Sequence, residues 1–135
     1  MKKDDKIIFE AWVGMIRSYQ IVMDDVEEEL KAAGMPPLGW YDVLLEINRA
    51  PDKRLRLQDI GSRILLAKNN TTRLVDRLEK EKLVTRKKCT SDGRGVYAYI
   101  MPKGEALLKE MWPVYRKAVR GKFAAFLNEK ELELL

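Results

Sequence analysis

The chain has 135 residues, of which 46% are hydrophobic and 35% are charged, and this is typical of one soluble globular domain. No apolar run approaches the roughly 18 residues that span a bilayer, and the N-terminus turns acidic where a signal peptide is apolar, so we expect no membrane contact and a cytoplasmic location. One cysteine and no histidine exclude an intrachain disulfide, a Cys/His zinc site and a histidine-activated nucleophile. We therefore expect no metal, no cofactor and no enzyme activity.

Positive charge is concentrated in one part of the chain. Between Lys53 and Lys103 there are 14 Lys and Arg against 5 Asp and Glu, a net of +9. The rest holds 12 basic residues against 16 acidic ones, a net of −4. A basic segment with acidic flanks is typical of a nucleic-acid footprint, because it neutralises phosphates and releases counterions.

The first predicted helix runs from Ile7 to Leu30, where apolar residues recur at spacings of three and four. Gly34, Pro36 and Pro37 end it. A helix of about 24 residues spans roughly 36 Å at 1.5 Å per residue, which is more than a small core needs. Two interpretations stay open: part of the apolar stripe packs on another chain, or the helix folds back on its own domain.

Three short elements are predicted next. Residues 38–48 form a helix whose wide apolar surface indicates a central, buried position. After a loop at 49–52, Arg54–Arg56 can form a short edge strand. A third helix follows over 57–64, with its apolar residues on one face.

The helix predicted over Lys68 to Lys82 follows a turn at Leu65–Ala67. Two short helices joined by so brief a turn form a helix-turn-helix unit. The polar face of the second helix carries Asn69, Asn70, Thr72, Arg73, Asp76 and Arg77. Asn can pair with adenine and Arg with guanine, and the leading turn of this helix meets base edges in such units. The alternative is an ordinary solvated helix face.

A β-hairpin is predicted from Leu83 to Cys89 and from Val96 to Met101, with a Gly-, Ser- and Asp-containing turn between the strands. Its basic residues are Arg86, Lys87, Lys88 and Arg94. A helix fits the DNA major groove and a basic hairpin reaches a neighbouring groove or backbone, so we expect Arg86 and Lys88 to contact DNA. The predicted fold class is mainly α with a small β-hairpin wing, a winged helix-turn-helix.

Two further helices end the chain. A long one begins at Pro102 and contains Pro113, which is expected to kink it. Asn128 followed by Glu131 has the form of a capping box, so a last helix begins at Glu129. Three apolar residues near the end need a partner surface: Leu132, Leu134 and Leu135.

The order of these elements resembles the MarR family of transcriptional regulators over nearly the whole chain. Three motifs carry the resemblance. Leu55–Gly61 is similar to the family's segment entering the first helix of the motif. Thr72–Glu79 followed by Leu83-Val84 is similar to its recognition helix running into the wing, and Asp92-Gly93-Arg94 matches its D-x-R wing motif.

The resemblance implies one domain over 1–135, with a DNA-binding lobe at about 38–101 and dimerisation helices at about 5–31 and 102–135. It implies a homodimer that places two recognition helices in successive major grooves of a pseudo-palindromic double-stranded site, most often as a repressor. It also implies that Arg94 enters the minor groove and that Asp92 holds the Arg94 side chain. The family's DNA-facing positions correspond to Lys68, Asn69, Asn70, Thr72, Arg73 and Arg77.

The chain departs from the family pattern at three places. Ala67 stands where relatives often have a capping Ser, so either the helix register shifts or Asn69 caps the helix instead of reading a base. Met101 stands where a Thr often precedes the Pro, which removes another cap. The final helix is also short.

The resemblance implies an effector, because members of the family commonly respond to small aromatic or lipophilic acids. The candidate pocket residues are Trp12, Arg17, Trp40, Tyr41, Trp112 and Tyr115. Aromatic rings supply apolar walls and Arg holds a carboxylate; the alternative is that these aromatics fill the core. Neighbouring lysines favour a thiolate at Cys89, but the family's peroxide sensors carry their reactive cysteine near the N-terminus.

Three functional hypotheses follow. The first is a ligand-responsive homodimeric repressor that binds DNA. The alternative is a winged-helix module that binds protein or RNA without a regulatory ligand. An enzyme is the weakest, because the chain has no Gly-rich phosphate loop and adjacent carboxylates such as Asp24 and Asp25 do not face one another on a helix.

Overall fold

The computed structural model describes residues 2–66, 68–88 and 95–135, without the side chain of Lys68. The predictions for Ala67, Cys89, Asp92 and Arg94 lie outside the described residues. The elements are α1 (Lys3–Ala32), α2 (Leu38–Arg49), β1 (Arg54–Arg56), α3 (Leu57–Arg63), α4 (Thr71–Lys80), β2 (Val84–Lys88), β3 (Val96–Ile100), α5 (Pro102–Lys122) and α6 (Glu129–Leu134). This mainly helical chain with a small antiparallel sheet confirms the predicted fold class.

The contacts divide the chain into two compact units. The first consists of Met1–Gly34 with Val114–Leu135, and the second of Met35–Pro113. The single-domain organisation with separate DNA-binding and dimerisation parts, which the resemblance implied, stays a prediction.

In the first unit, α1 is longer than its apolar pattern indicated, with 30 residues. Asp4 and Asp5 lie in its first turn, where carboxylates interact favourably with the positive end of the helix dipole. Val26 and Leu30 are buried near its C-terminal end. Towards its N-terminus a run of apolar side chains is exposed: Ile7, Ile8, Phe9, Trp12, Val13, Met15, Ile16 and Tyr19.

The C-terminal part of the first unit confirms the predicted cap. The Asn128 side chain accepts a hydrogen bond from the Glu131 backbone N–H at 2.8 Å, and the Glu131 carboxylate accepts one from the Asn128 N–H at 3.0 Å. This reciprocal pair begins α6 at Glu129. The side chains of Leu134 and Leu135 are 85% and 83% exposed, so they form no core within this chain.

The second unit holds a core to which each of its helices and strands contributes. The central helix α2 buries one broad surface, as predicted. The side chains buried in this core include Leu38, Val43, Leu44, Ile47, Leu55, Ile60, Ile64, Val75, Leu78, Val84, Ala98 and Met111. Alternation along β3 and the spacing of three between Val75 and Leu78 give each element one inward face.

The described strands form an antiparallel sheet in the order β1-β3-β2, so the predicted edge strand pairs with the hairpin. Leu55 lies opposite Ala98, and Arg86 lies opposite the same Ala98 from the other side. These residues and Val84 therefore share the inward face of the sheet. Lys87 points to the other face, because successive side chains alternate.

The end of α4 and the start of α5 meet closely. The N–H of Leu83 bonds the carbonyl of Leu78 at 2.9 Å, and the N–H of Lys82 bonds that of Glu79 at 2.9 Å, which is a Schellman arrangement with Lys82 at φ 63°. A Cβ on Gly104 would overlap the carbonyl oxygen of Leu83. Only glycine allows α5 to begin so close to this backbone.

Candidate nucleic-acid interface

The recognition helix α4 has one buried and one exposed face, as its pattern predicts. Val75 and Leu78 are fully buried. All the polar residues that the sequence predicted are exposed: Thr72, Arg73, Asp76 and Arg77 on the helix, and Asn69 and Asn70 in the turn before it. Residues 69–73 line a surface depression of about 470 Å³ at its leading end. The exposure of this face is confirmed; its contacts with bases and phosphates stay predictions.

The start of this helix differs from the prediction. Lys68–Asn70 form a 3-10 turn, and the α-helix begins at Thr71 rather than at Lys68. The N-cap is Asn70, whose side chain makes no capping bond. The absence of a capping side chain at Ala67 left two possibilities, a shifted helix register or a cap by Asn69. The α-helix begins later than predicted, and Asn69 is not its N-cap. A 3-10 turn is common at the N-terminus of an α-helix.

The turn before the helix is held from α2, by a residue that the sequence analysis missed. The Asp42 carboxylate Oδ2 accepts hydrogen bonds from the backbone N–H groups of Leu65, at 2.8 Å, and Leu66, at 3.0 Å. A carboxylate that accepts two N–H groups fixes the turn much as a capping side chain does. No local pattern indicates this contact, because the partners are more than 20 residues apart.

The wing strand β2 is tied to α4 through Arg86. Its guanidinium Nη1 lies 2.6 Å from Asp76 Oδ1, and its Nη2 lies 2.9 Å from Glu79 Oε1. The Arg86 Nε also donates to Glu79 Oε1 at 3.1 Å, and its backbone N–H donates to Glu79 Oε2 at 2.8 Å. Both oxygens of Glu79 are therefore occupied by one residue of the wing.

These contacts shift the titration of both partners in the directions that an ion pair requires. The hydrogen bonds from the Arg86 side chain and backbone lower the pKa of Glu79. The hydrogen bond to Glu79 raises the pKa of Arg86, with a smaller contribution from Asp76. Both groups stay charged at neutral pH, so the pair is an ionic one.

The outward face of the sheet carries alternating cations and aromatic rings, which the sequence analysis did not single out. The Arg54 guanidinium lies 4.4 Å from the Tyr97 ring centroid and donates to the Tyr99 hydroxyl at 3.1 Å. The Arg56 Nε donates to the Tyr97 hydroxyl at 3.0 Å. Cross-strand pairs of this kind stiffen a sheet. The sequence signal that could have indicated this surface is the pattern Arg-x-Arg in β1 and Tyr-x-Tyr in β3, since alternate residues of a strand share one face.

The remaining predicted wing residues divide between described and undescribed positions. Lys87 and Lys88 are exposed, and the Lys87 ammonium lies 5.4 Å from the Tyr99 ring centroid. Asp92 and Arg94, which carry the predicted minor-groove contact, and Cys89 lie outside the described residues.

The predicted effector residues fall in both units, with different burial. Tyr41 is 7% exposed and belongs to the core of the second unit, as the core-filling alternative requires. Trp40 and Tyr115 are half-buried and Arg17 is exposed. Trp12 and Trp112 are 53% and 50% exposed. A shared ligand pocket stays a prediction.

The part of the chain that the structure describes offers neither a metal site nor a membrane span. It holds no group of three or more Cys, Asp or Glu side chains arranged to bind a metal ion. None of its helices is both long enough and apolar enough to cross a membrane.

A helix-turn-helix with an exposed polar and basic recognition face, followed by a basic β-hairpin, defines a winged-helix DNA-binding protein. Residues 33–95 match the model of the MarR family. The chain is 29% identical to the uncharacterised HTH-type transcriptional regulator YkoM of Bacillus subtilis, over 88% of this chain and 75% of that protein. By these matches the chain is similar to the MarR family of DNA-binding transcriptional regulators, which are not enzymes.

Solved structures support the fold. A MarR family regulator of Streptomyces coelicolor in complex with DNA superposes with a TM-score of 0.85 at 23% identity, over 99% of this chain and 82% of that one. BpsR of Bordetella bronchiseptica, whose DNA binding is regulated by 6-hydroxynicotinic acid, superposes with a TM-score of 0.77 at 21% identity, over 89% of this chain and 83% of that one. Both similarities establish a shared architecture.

Proposed function

We propose that the protein is a ligand-responsive homodimeric repressor that binds a pseudo-palindromic operator. The observation that carries the proposal is the exposed leading face of α4. Arg73 and Arg77 lie on the face opposite the buried Val75, and the amides of Asn69 and Asn70 are exposed in the turn before the helix. These groups can pair with base edges or phosphates without disturbing the core.

The wing supplies the second part of the proposed contact. Lys88 is exposed at the end of β2, where a cation can meet the phosphate backbone. Arg94, held by Asp92, is proposed to enter the minor groove, because a narrow minor groove concentrates negative potential. Lys68 is proposed to contact the backbone at the start of the recognition helix.

The exposed apolar side chains of α1 support the homodimer. Ile7, Ile8, Trp12 and Met15 are each more than half exposed, and they recur at helical spacing. Monomeric proteins rarely expose so continuous an apolar stripe. A second copy of the same helix covers it best, because a two-fold symmetric protein matches a two-fold symmetric operator.

An aromatic or lipophilic acid is the proposed effector. The regulation of BpsR by 6-hydroxynicotinic acid shows that an aromatic acid controls DNA binding in a protein of this fold. In the first unit of this chain the half-exposed ring of Trp12 supplies apolar surface, and Arg17 supplies a cation for the carboxylate. We propose the cytoplasm as its location, since bacterial operators lie there.

Footprinting on the DNA upstream of the protein's own gene tests the proposal. We expect a protected site of two half-sites about one helical turn apart, since each recognition helix enters one major groove. Aromatic acids that raise the melting temperature are expected to release that site. A protein that protects no duplex site but retains RNA or a protein partner would instead be the non-regulatory winged-helix module.

A further inference from the structure

Arg86 faces the recognition helix and not the outer surface of the wing. Alternation along β2 places it on the same side as the buried Val84, and its side chain is 28% exposed. Lys87 lies on the opposite face, and Lys88 lies on the side of Arg86 but is exposed at the end of the strand. The basic residues of this strand therefore do not form a single DNA-contacting set.

The partners of Arg86 are spaced to receive it. Asp76 and Glu79 stand three residues apart on α4, so their carboxylates project from the same side of the helix. Arg86 meets the first through Nη1 and the second through Nη2 and Nε, and its own N–H occupies the remaining Glu79 oxygen. A planar guanidinium with several directed contacts fixes an orientation that a Lys ammonium cannot.

The charge of Asp76 gives this arrangement a second consequence. Asp76 is 52% exposed and lies on the same face as Arg73 and Arg77. An unneutralised carboxylate there would repel the DNA phosphates. The Arg86 guanidinium, 2.6 Å from the Asp76 carboxylate, neutralises this negative charge from the side of the wing.

We propose that Arg86 is a positioning residue that fixes the wing on the recognition helix and neutralises Asp76, and that it makes no contact with DNA itself. The inference rests on the DNA-binding role proposed above. It separates Arg86 from Lys88, with which the sequence had grouped it.

The direction in which one substitution changes operator affinity tests the inference. Glu79→Gln removes a negative charge, which ordinarily strengthens binding to a polyanion. If Glu79 instead anchors Arg86, Glu79→Gln weakens operator binding, by about tenfold, within the range of coupling in one ion-pair network. Glu81→Gln is the matched control, because it removes the same charge from the exposed end of the same helix. It is expected to leave affinity unchanged or slightly higher.

Two Arg86 variants complete the test. Arg86→Lys keeps the charge, and with it part of the neutralisation of Asp76, but loses the directed guanidinium contacts. The proposal therefore expects it to bind more weakly than the wild type, whereas a phosphate contact would be preserved. Adding Glu79→Gln to Arg86→Gln is expected to cause no further loss, because the contact between the two residues is already absent. Wild-type affinity for Arg86→Lys, tighter binding by Glu79→Gln, or losses that multiply would each overturn the proposal.

Amide hydrogen exchange on the free protein keeps this test independent of DNA. Arg86→Gln and Glu79→Gln are expected to speed exchange in β2 and β3 while leaving α1 unchanged, and equal protection in the variants and the wild type would contradict the proposal. Circular dichroism confirms that each variant is folded at the assay temperature. If the wild type protects no operator, the proposed function fails, and the exchange result still decides whether Arg86 anchors the wing.

Discussion

The Asp42 carboxylate, on the central helix α2, accepts the backbone N–H of Leu65 at 2.8 Å and so holds the turn that leads into the recognition helix. Ala67 follows this turn and has no oxygen with which to cap the helix. The turn before the helix is therefore fixed by a distant element, while the N-cap Asn70 makes no side-chain capping bond.

Substitution of Asp42 should weaken both folding and operator binding. Asp42→Ala leaves the N–H groups of Leu65 and Leu66 without their acceptor, and we expect a loss of about 1–3 kcal/mol in the free energy of unfolding. Urea denaturation measures it. Asp42→Asn keeps an acceptor oxygen and should lose less; equal losses in the two variants would show that the hydrogen bonds are not the cause.

Arg73 is expected to read a base. Arg73→Ala should relax sequence preference at one operator position and weaken binding by about 1–3 kcal/mol. Competition between operator variants at fixed salt measures this preference. Arg120→Ala, at an exposed position of α5, controls for the loss of one positive charge. A loss that is uniform over all sequences would make Arg73 a phosphate contact.

If the apolar stripe of α1 forms the dimer interface, a charged side chain placed in it should weaken dimerisation. Ile8 is 60% exposed in the single chain, so Ile8→Glu should leave the monomer folded but bury a carboxylate in the dimer interface. Analytical ultracentrifugation should show a shift towards monomer at micromolar concentration. Lys3→Glu, on the same helix, serves as the control, and a fully dimeric Ile8→Glu protein would place the interface elsewhere.

Gly104 is expected to be irreplaceable. A side chain there meets the carbonyl oxygen of Leu83 and comes within 2.9 Å of the Ile100 side chain. Gly104→Ala should therefore destabilise the fold by about 1–3 kcal/mol, the usual cost of overpacking. At Gly121, later in the same helix, no neighbouring atom lies within 4 Å of the position that a Cβ would take, so Gly121→Ala should be neutral or slightly stabilising in thermal unfolding.

The ion pair of Glu79 predicts a dependence on acid. Its pKa is lowered in the folded protein by the hydrogen bonds from Arg86, so its contribution to stability is complete above its ordinary pKa of about 4.3 and is lost as the pH falls through the lower folded value. The difference in unfolding free energy between wild type and Glu79→Gln should be constant from about pH 6 to 8, where Glu79 is ionised in both the folded and the unfolded protein. It should shrink below about pH 4. A difference that grew with acid would contradict the ion pair.

Much of the architecture followed from local patterns. The edge strand Arg54–Arg56 was predicted with its observed bounds, and the capping box at Asn128 gave the start of α6. The buried and exposed faces of α4 followed from apolar spacing alone. In each case the information lies within a few residues, because helical and strand periodicities are local properties.

The start of α4 and the role of Arg86 were not predicted. The helix was expected from Lys68, and the α-helix begins at Thr71 after a 3-10 turn. Arg86 was grouped with Lys88 because both are basic residues of the same strand. The sequence does not show which acidic side chains lie near either of them in the folded protein. Its guanidinium meets Asp76 and Glu79 only when β2 packs beside α4.

The sequence by itself determined the class of the protein: a basic winged helix-turn-helix whose recognition helix exposes Arg73 and Arg77. The tertiary structure alone decided how that helix is held: Asp42 of α2 fixes the turn before it, and Arg86 of the wing binds its side chains. The periodicity of apolar residues and the distribution of charge can be read directly from the sequence. Hydrogen bonds between distant residues depend on the packing of whole elements, and that packing exists only in the folded protein.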